Sequence, residues 1–251
     1  MNSLPGAAPV RLPVRCFLGT SGRGRRILPQ RSSPRHVSSG GVRPYNGRMT
    51  GAGSPEWVIR EDASRPVLLA LFLRQVMGVR SPAELPPLRG VPSPPVDRGD
   101  AEQLDLEREW QQYWNMTVEP QANLSPVPLE LIAGFDDLLA LPETGADRLR
   151  AAVAPHGAAA LTHVNRAFEV YSKTSTSRPG TSYRAYASAI AEHERQVGRR
   201  AHSFELNVQV LPLSQRGVWW IGALTVAVTD GLRGDVAAFD SAIHPIIAEL
   251  A

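Results

Sequence analysis

The chain has a single cysteine, Cys16, in 251 residues. No internal disulfide can form, and from Met49 onward there is neither a thiolate zinc site nor a nucleophilic thiol. Lysine is as scarce: of 27 basic residues only Lys173 is not an arginine. That imbalance fits a GC-rich genome, so a single arginine here carries less functional information than usual. Long apolar runs are missing too. The strongest, Val67 to Leu73 and Val218 to Val228, fall short of the roughly 20 residues that span a bilayer. With no secretory signal after Met49, a cytoplasmic protein without membrane association is expected, and the sequons at Asn115 and Asn123 would go unread.

Several chemical signatures are also absent. Lys173 in "YSKTST" lacks the glycine framework of a P-loop, and "TGAGSPE" has two glycines but no third. No GxSxG elbow or HExxH helix occurs. No cofactor or metal is expected, and the balance leans away from an enzyme. Acidic residues are missing ahead of Met49, where nine arginines (Arg11, Arg15, Arg23, Arg25, Arg26, Arg31, Arg35, Arg43 and Arg48) lie among Pro, Gly and Ser. Residues 1–48 therefore read as disordered. Taking nine from 27 leaves 18 basic against 24 acidic residues, a net of −6 where the whole chain has +3. Three readings compete for this leader: a transit peptide, which its prolines oppose; a basic tail for nucleic acid or an anionic surface; and codons upstream of a true start at Met49, the reading preferred here. Nucleic-acid binding is not expected of residues 49–251.

What is present from Met49 on predicts one α+β domain, mainly helical, with proline-rich extended segments at 79–99 and 118–128. Leu69, Phe72, Leu73 and Val76 mark a short helix buried on most sides. Asp100 is placed as the N-cap of a helix whose Leu106, Trp110, Tyr113 and Trp114 share a side. Short helices are expected around Leu131 to Leu139, over Ala146 to Ala154 and over Ala158 to Tyr171, with "SKTSTSRPGTS" as a loop. Tyr183, Tyr186, Ile190 and Val197 mark another helix, closed by Gly198. The period then falls to two: Phe204, Leu206, Val208 and Val210 alternate with polar residues. "SQRG" is read as the turn of an antiparallel hairpin whose second strand is "VWWIGALTVAVT". A helix kinked at Pro245 follows.

No constellation of catalytic residues stands out. Glu192, His193 and Glu194 diverge around a helix, as do Asp136 and Asp137, so neither group forms a local metal site or acid–base pair. The ligand-binding candidates are Arg199, Arg200 and His202, with Arg195 nearby and Arg178 or Arg184 completing an anion pocket. Trp110, Trp114 and Trp219, joined by Tyr113 and Trp220, could line a groove. Against each stands a plain alternative: solvated charge beside a helix end for the arginines, and core packing for the aromatic residues.

The run from "AYASAIAEHERQVGRRAHSFELNVQV" to the end, with "REDASRPVLLALFLRQVMGVRSPAELPPLRGVP" and "WNMTVEPQA", resembles a family of uncharacterised actinobacterial proteins. The resemblance covers about Met49 to Ala251. Some members carry a zinc-binding alcohol dehydrogenase label, but the GHE-type ligand motif, cysteine ligands and glycine fingerprint of that enzyme do not occur in this chain. It implies no catalytic residues. Three functions are weighed: a cytoplasmic non-catalytic binding or interaction protein, self-associating through the hairpin as a homo-oligomer; a small-molecule-binding domain or enzyme with its anion site at Arg199, Arg200 and His202; and nucleic-acid binding through the leader.

Overall fold

In a computed structural model the residues described are 45–46, 57–95, 98–177 and 181–251, all within one unit, Val42–Ala251. The expected disorder over residues 1–48 falls mostly outside them. Tyr45–Asn46, just ahead of Met49, form strand β1, antiparallel to β2 (Trp57–Asp62). β2 suits a sheet because Trp57 and Ile59 present aromatic and β-branched groups to one face. Glu61 follows them on that face.

Helix α1 (Arg65–Val76) starts with Pro66, whose missing N–H costs nothing in a first turn, and Val67 to Leu73 are all buried. The proline-rich segment after it, expected to be extended, turns at 82–85 and again at Arg89 and Gly90, and is pinned. Buried Gln75 accepts from Leu88 N (2.8 Å) and donates from Nε2 to Val91 O (2.5 Å), while Leu85, Leu88 and Val91 enter the core. Asp100 is not the cap of α2 (Asp100–Val118). Gly99 takes that place, and Asp100 and Glu102 sit in the first turn, where the helix dipole favours acids. Leu106, Trp110, Tyr113 and Trp114 are the buried side of α2, as their spacing requires.

The helix expected around Leu131 to Leu139 is replaced by a hairpin of β3 (Leu129–Leu131) and β4 (Ala140–Pro142). Gly134 (φ 86°) and Asp136 (φ 53°) adopt left-handed conformations that end helical winding. Phe135, Leu139 and Leu141 still reach the core, so the apolar spacing served a turn. α3 (Asp147–Val153) passes through a 3₁₀ turn at Ala154–His156 into α4 (Gly157–Ser177). A Cβ on Gly157 would lie 2.4 Å from Gly134 O, so only glycine lets α4 start against that hairpin. α4 runs through "SKTSTS", where a loop was expected; of the rest of that loop, 178–180 lie outside the described residues and Thr181 and Ser182 belong to the next helix.

α5 (Thr181–Val197) ends at Gly198 (φ 67°), and β5 (Phe204–Leu211) follows with the alternation anticipated. The next segment departs from expectation. "VWWIGALTVAVT" is two strands, β6 (Val218–Trp220) and β7 (Thr225–Thr229), which form the C-terminal antiparallel hairpin between themselves. β7 then pairs parallel to β5. "SQRG" is therefore part of a connection that carries the chain past β7's place to the sheet edge. α6 (Asp230–Arg233) and α7 (Val236–Leu250) finish the chain; Asp235 caps α7 by accepting from Ala238 N. α7 continues through Pro245.

The sheet order is β1-β2-β5-β7-β6, with β2, β5 and β7 parallel and the edge strands antiparallel. On one face Leu206, Val208, Val226 and Val228 pack with Ile190 of α5 and Phe239, Ile243 and Ile247 of α7. On the other, Leu211 and Ala227 join the core of α1 to α4. Burial on both faces explains why β7 reads as an unbroken apolar run. The fold is α+β, and no helix among the described residues is long and apolar enough to cross a membrane.

Candidate functional site

Three parallel strands end side by side, and a cavity of about 480 Å³ opens there. Ala63 follows β2, Val210 and Pro212 close β5, and Asp230 and Gly231 follow β7; all line it. Crevices outside the carboxyl ends of parallel strands are the usual ligand site of open sheets, because the chain must leave each strand there and the departing segments diverge. One wall is α4, whose His163, Arg166, Ala167, Val170 and Tyr171 recur at i, i+3, i+4, i+7 and i+8 and so share a face. The pinned proline-rich segment supplies Arg89 and Gly90, and α1 supplies Leu68.

Glu61 organises the base. Its Oε1 and Oε2 each accept from Arg233 Nε at 2.9 Å, Oε2 accepts from Tyr186 Oη at 2.9 Å, and its carbonyl accepts from Tyr171 Oη at 3.3 Å. Both charged side chains are only 15% exposed. Burial by itself would lower the Arg233 pKa; the hydrogen bonds and charge of Glu61 outweigh it and hold the guanidinium firmly protonated. Burial and then the charge of Glu61 raise both Tyr171 and Tyr186, which stay neutral hydroxyl donors. At the other rim Arg89 pairs with Asp230, which also accepts from Gly231 N.

Two groups lack such partners. Arg166 is exposed and makes no ion pair or hydrogen bond among the described residues. His163 packs its ring against Phe72 at 5.3 Å, and its Nε2 is buried with no hydrogen-bond partner among the described residues. Burial and the nearby Arg166 lower the His163 pKa, so the imidazole is neutral at pH 7.

The candidates read from the sequence lie elsewhere. Arg199, Arg200 and His202 occupy the exposed link before β5, at the amino end of the strand. Arg199 Nη1 donates to Arg200 O (3.1 Å) and Ala251 O (3.4 Å), and His202 N donates to Ala251 O (2.8 Å). Arg195 pairs with Glu192, Arg184 is exposed, and Arg178 lies outside the described residues. Trp110 and Trp114 are buried beneath α1, with Trp110 Nε1 donating to Ser81 O at 3.1 Å. Trp219 packs against that same core, whereas Trp220 packs against the other. None of the described ones lines the cavity, and among them the arginines and tryptophans do not converge. Of the cavity's own residues, His163, Arg166 and Tyr171 have a signal in the sequence, a helical spacing within α4. Glu61, Arg89 and Arg233 left none, since they meet only through the sheet.

No family model, no curated protein and no solved structure matches this chain. Among the described residues no three His, Cys, Asp or Glu side chains gather into a group that could hold a metal ion.

Proposed function

We propose that this is a small-molecule-binding protein whose site is the cavity at the carboxyl ends of β2, β5 and β7. The observation that carries it is a preformed hollow of about 480 Å³ lined in part by buried Ala63, Leu68 and Val210 and in part by charged groups. That volume falls within the roughly 300–1,000 Å³ of sites that enclose metabolite-sized ligands. Charged groups at the base are already engaged with one another, so the arrangement supports binding more directly than chemistry. The anion-site reading of the sequence is thereby moved from Arg199, Arg200 and His202 to the opposite end of the strands.

The test uses a neutral apolar probe. Nile red added to the full chain should gain fluorescence at micromolar concentrations, and Ala167→Trp, which projects a ring into the hollow, should abolish the gain while the melting curve is kept. A gain that survives Ala167→Trp, or no gain at all, would place binding elsewhere or nowhere.

Self-association is the second reading. β6 forms a sheet edge and could pair with a copy of itself, but it spans only three residues and offers few backbone groups. A single monomer mass in sedimentation at every concentration would remove it.

A further inference from the structure

We infer that the ligand of this cavity carries a carboxylate or comparable monoanionic head, held by Arg166, with an apolar body against Ala63, Leu68 and Val210. The inference rests on the binding reading above and names the chemistry of the molecule bound.

Part of the lining is apolar: Ala63, Leu68 and Val210 are 1%, 0% and 5% exposed, so a polar group set against them would lose its hydration without replacement. The charged lining stands beside them, with Glu61 and Arg233 at the base and Arg89, Asp230 and Arg166 around it. Three arginines line the cavity, but Arg233 is committed to Glu61 and Arg89 to Asp230. Recruiting either would strand a carboxylate, and for Glu61 a largely buried one, which is costly. Among the described residues Arg166 has no carboxylate to give up. A carboxylate answers it with charge-assisted hydrogen bonds from both arms of the guanidinium. A cationic head would meet Arg166 as a like charge, and a neutral head would gain no charge-assisted bond from it.

The experiment titrates octanoate, 1-octanol and octylamine into the full chain by calorimetry. Octanoate should bind at least about tenfold more tightly than octanol, the ratio expected of one charge-assisted hydrogen bond, and octylamine least of all. Arg166→Ala should bring octanoate down to the level of octanol and leave octanol unmoved, while Arg166→Lys keeps part of the preference; an exposed position makes misfolding an unlikely confounder, and the melting temperature checks it. Equal affinities for octanoate and octanol, or octanoate binding indifferent to Arg166→Ala, would overturn the carboxylate head and leave the cavity reading standing. Failure of octanoate, octanol and Nile red together would overturn the cavity reading and this inference with it.

Discussion

The two ends of the parallel strands make opposite uses of the same residue type. At the amino end of β5, Arg199 and His202 are turned onto the chain's own terminus: the Arg199 side chain and the His202 backbone N–H both donate to the Ala251 carbonyl. At the carboxyl end, roughly 23 Å away at about 3.3 Å per residue, two arginines are locked to Glu61 and Asp230 and a third, Arg166, stands at a cavity rim. An arginine's role is thus set by which acceptor the fold brings to it. Clustering in sequence drew attention to the wrong end, because adjacent arginines share a loop without sharing a hollow.

The largest effect should come from breaking the lock beneath the cavity. Glu61→Ala takes the carboxylate from the mostly buried Arg233 and from the Tyr186 hydroxyl, and urea unfolding should show a loss of about 3–5 kcal/mol; Glu61→Gln should cost less because it keeps an acceptor. A smaller loss, about 1–3 kcal/mol, is expected of Gln75→Leu, which strands the buried Leu88 N–H. This change should also weaken Nile red binding, since the segment that Gln75 pins carries the Arg89 and Gly90 wall. A Gln75→Leu variant that unfolds earlier but binds as before would separate the wall from the site.

A gentler probe is pH. The folded-state pKa of His163 lies below its ordinary value of 6.5, so between the two values the unfolded chain holds more protons. The stabilising contribution is therefore full above about pH 6.5 and is lost as pH falls toward the folded pKa. Melting curves from pH 7.5 to 5 should show the native protein losing more stability than His163→Leu. Equal slopes would mean that His163 is not the group responsible, and His156, also lowered by burial and then by Arg98, would be the next to examine. Smallest of all, Arg199→Ala and Arg200→Ala should shift stability by no more than about 0.5 kcal/mol and leave octanoate binding untouched. Any drop in that binding would erase the distinction between the two ends.

Legibility followed locality. The helix with Val67 to Leu73, the stripe Leu106, Trp110, Tyr113 and Trp114, the closing Gly198 and the alternation of β5 all follow from periods and caps within one segment, and all are present. β3 and β4 were mistaken for a helix because Leu131, Phe135, Leu138 and Leu139 sit at spacings a turn can mimic. Only the left-handed Gly134 and Asp136 decide the matter. β2 went unseen because six residues ending in "RED" look polar until Glu61 finds Arg233, 172 positions on. The site was hardest: of its residues only the edge of α4 has a local pattern.

Side-chain period and turn chemistry are carried by neighbours in the chain, so the sequence alone determined where most helices lie, that one strand alternates, and that the body from Met49 is acidic and thiol-free. Strand partners are chosen by which buried faces and backbone groups can be satisfied together across long separations. Tertiary structure alone therefore decided that β7 enters between β5 and β6, that three parallel strands end at one place, and that a hollow rimmed by Arg166 opens there.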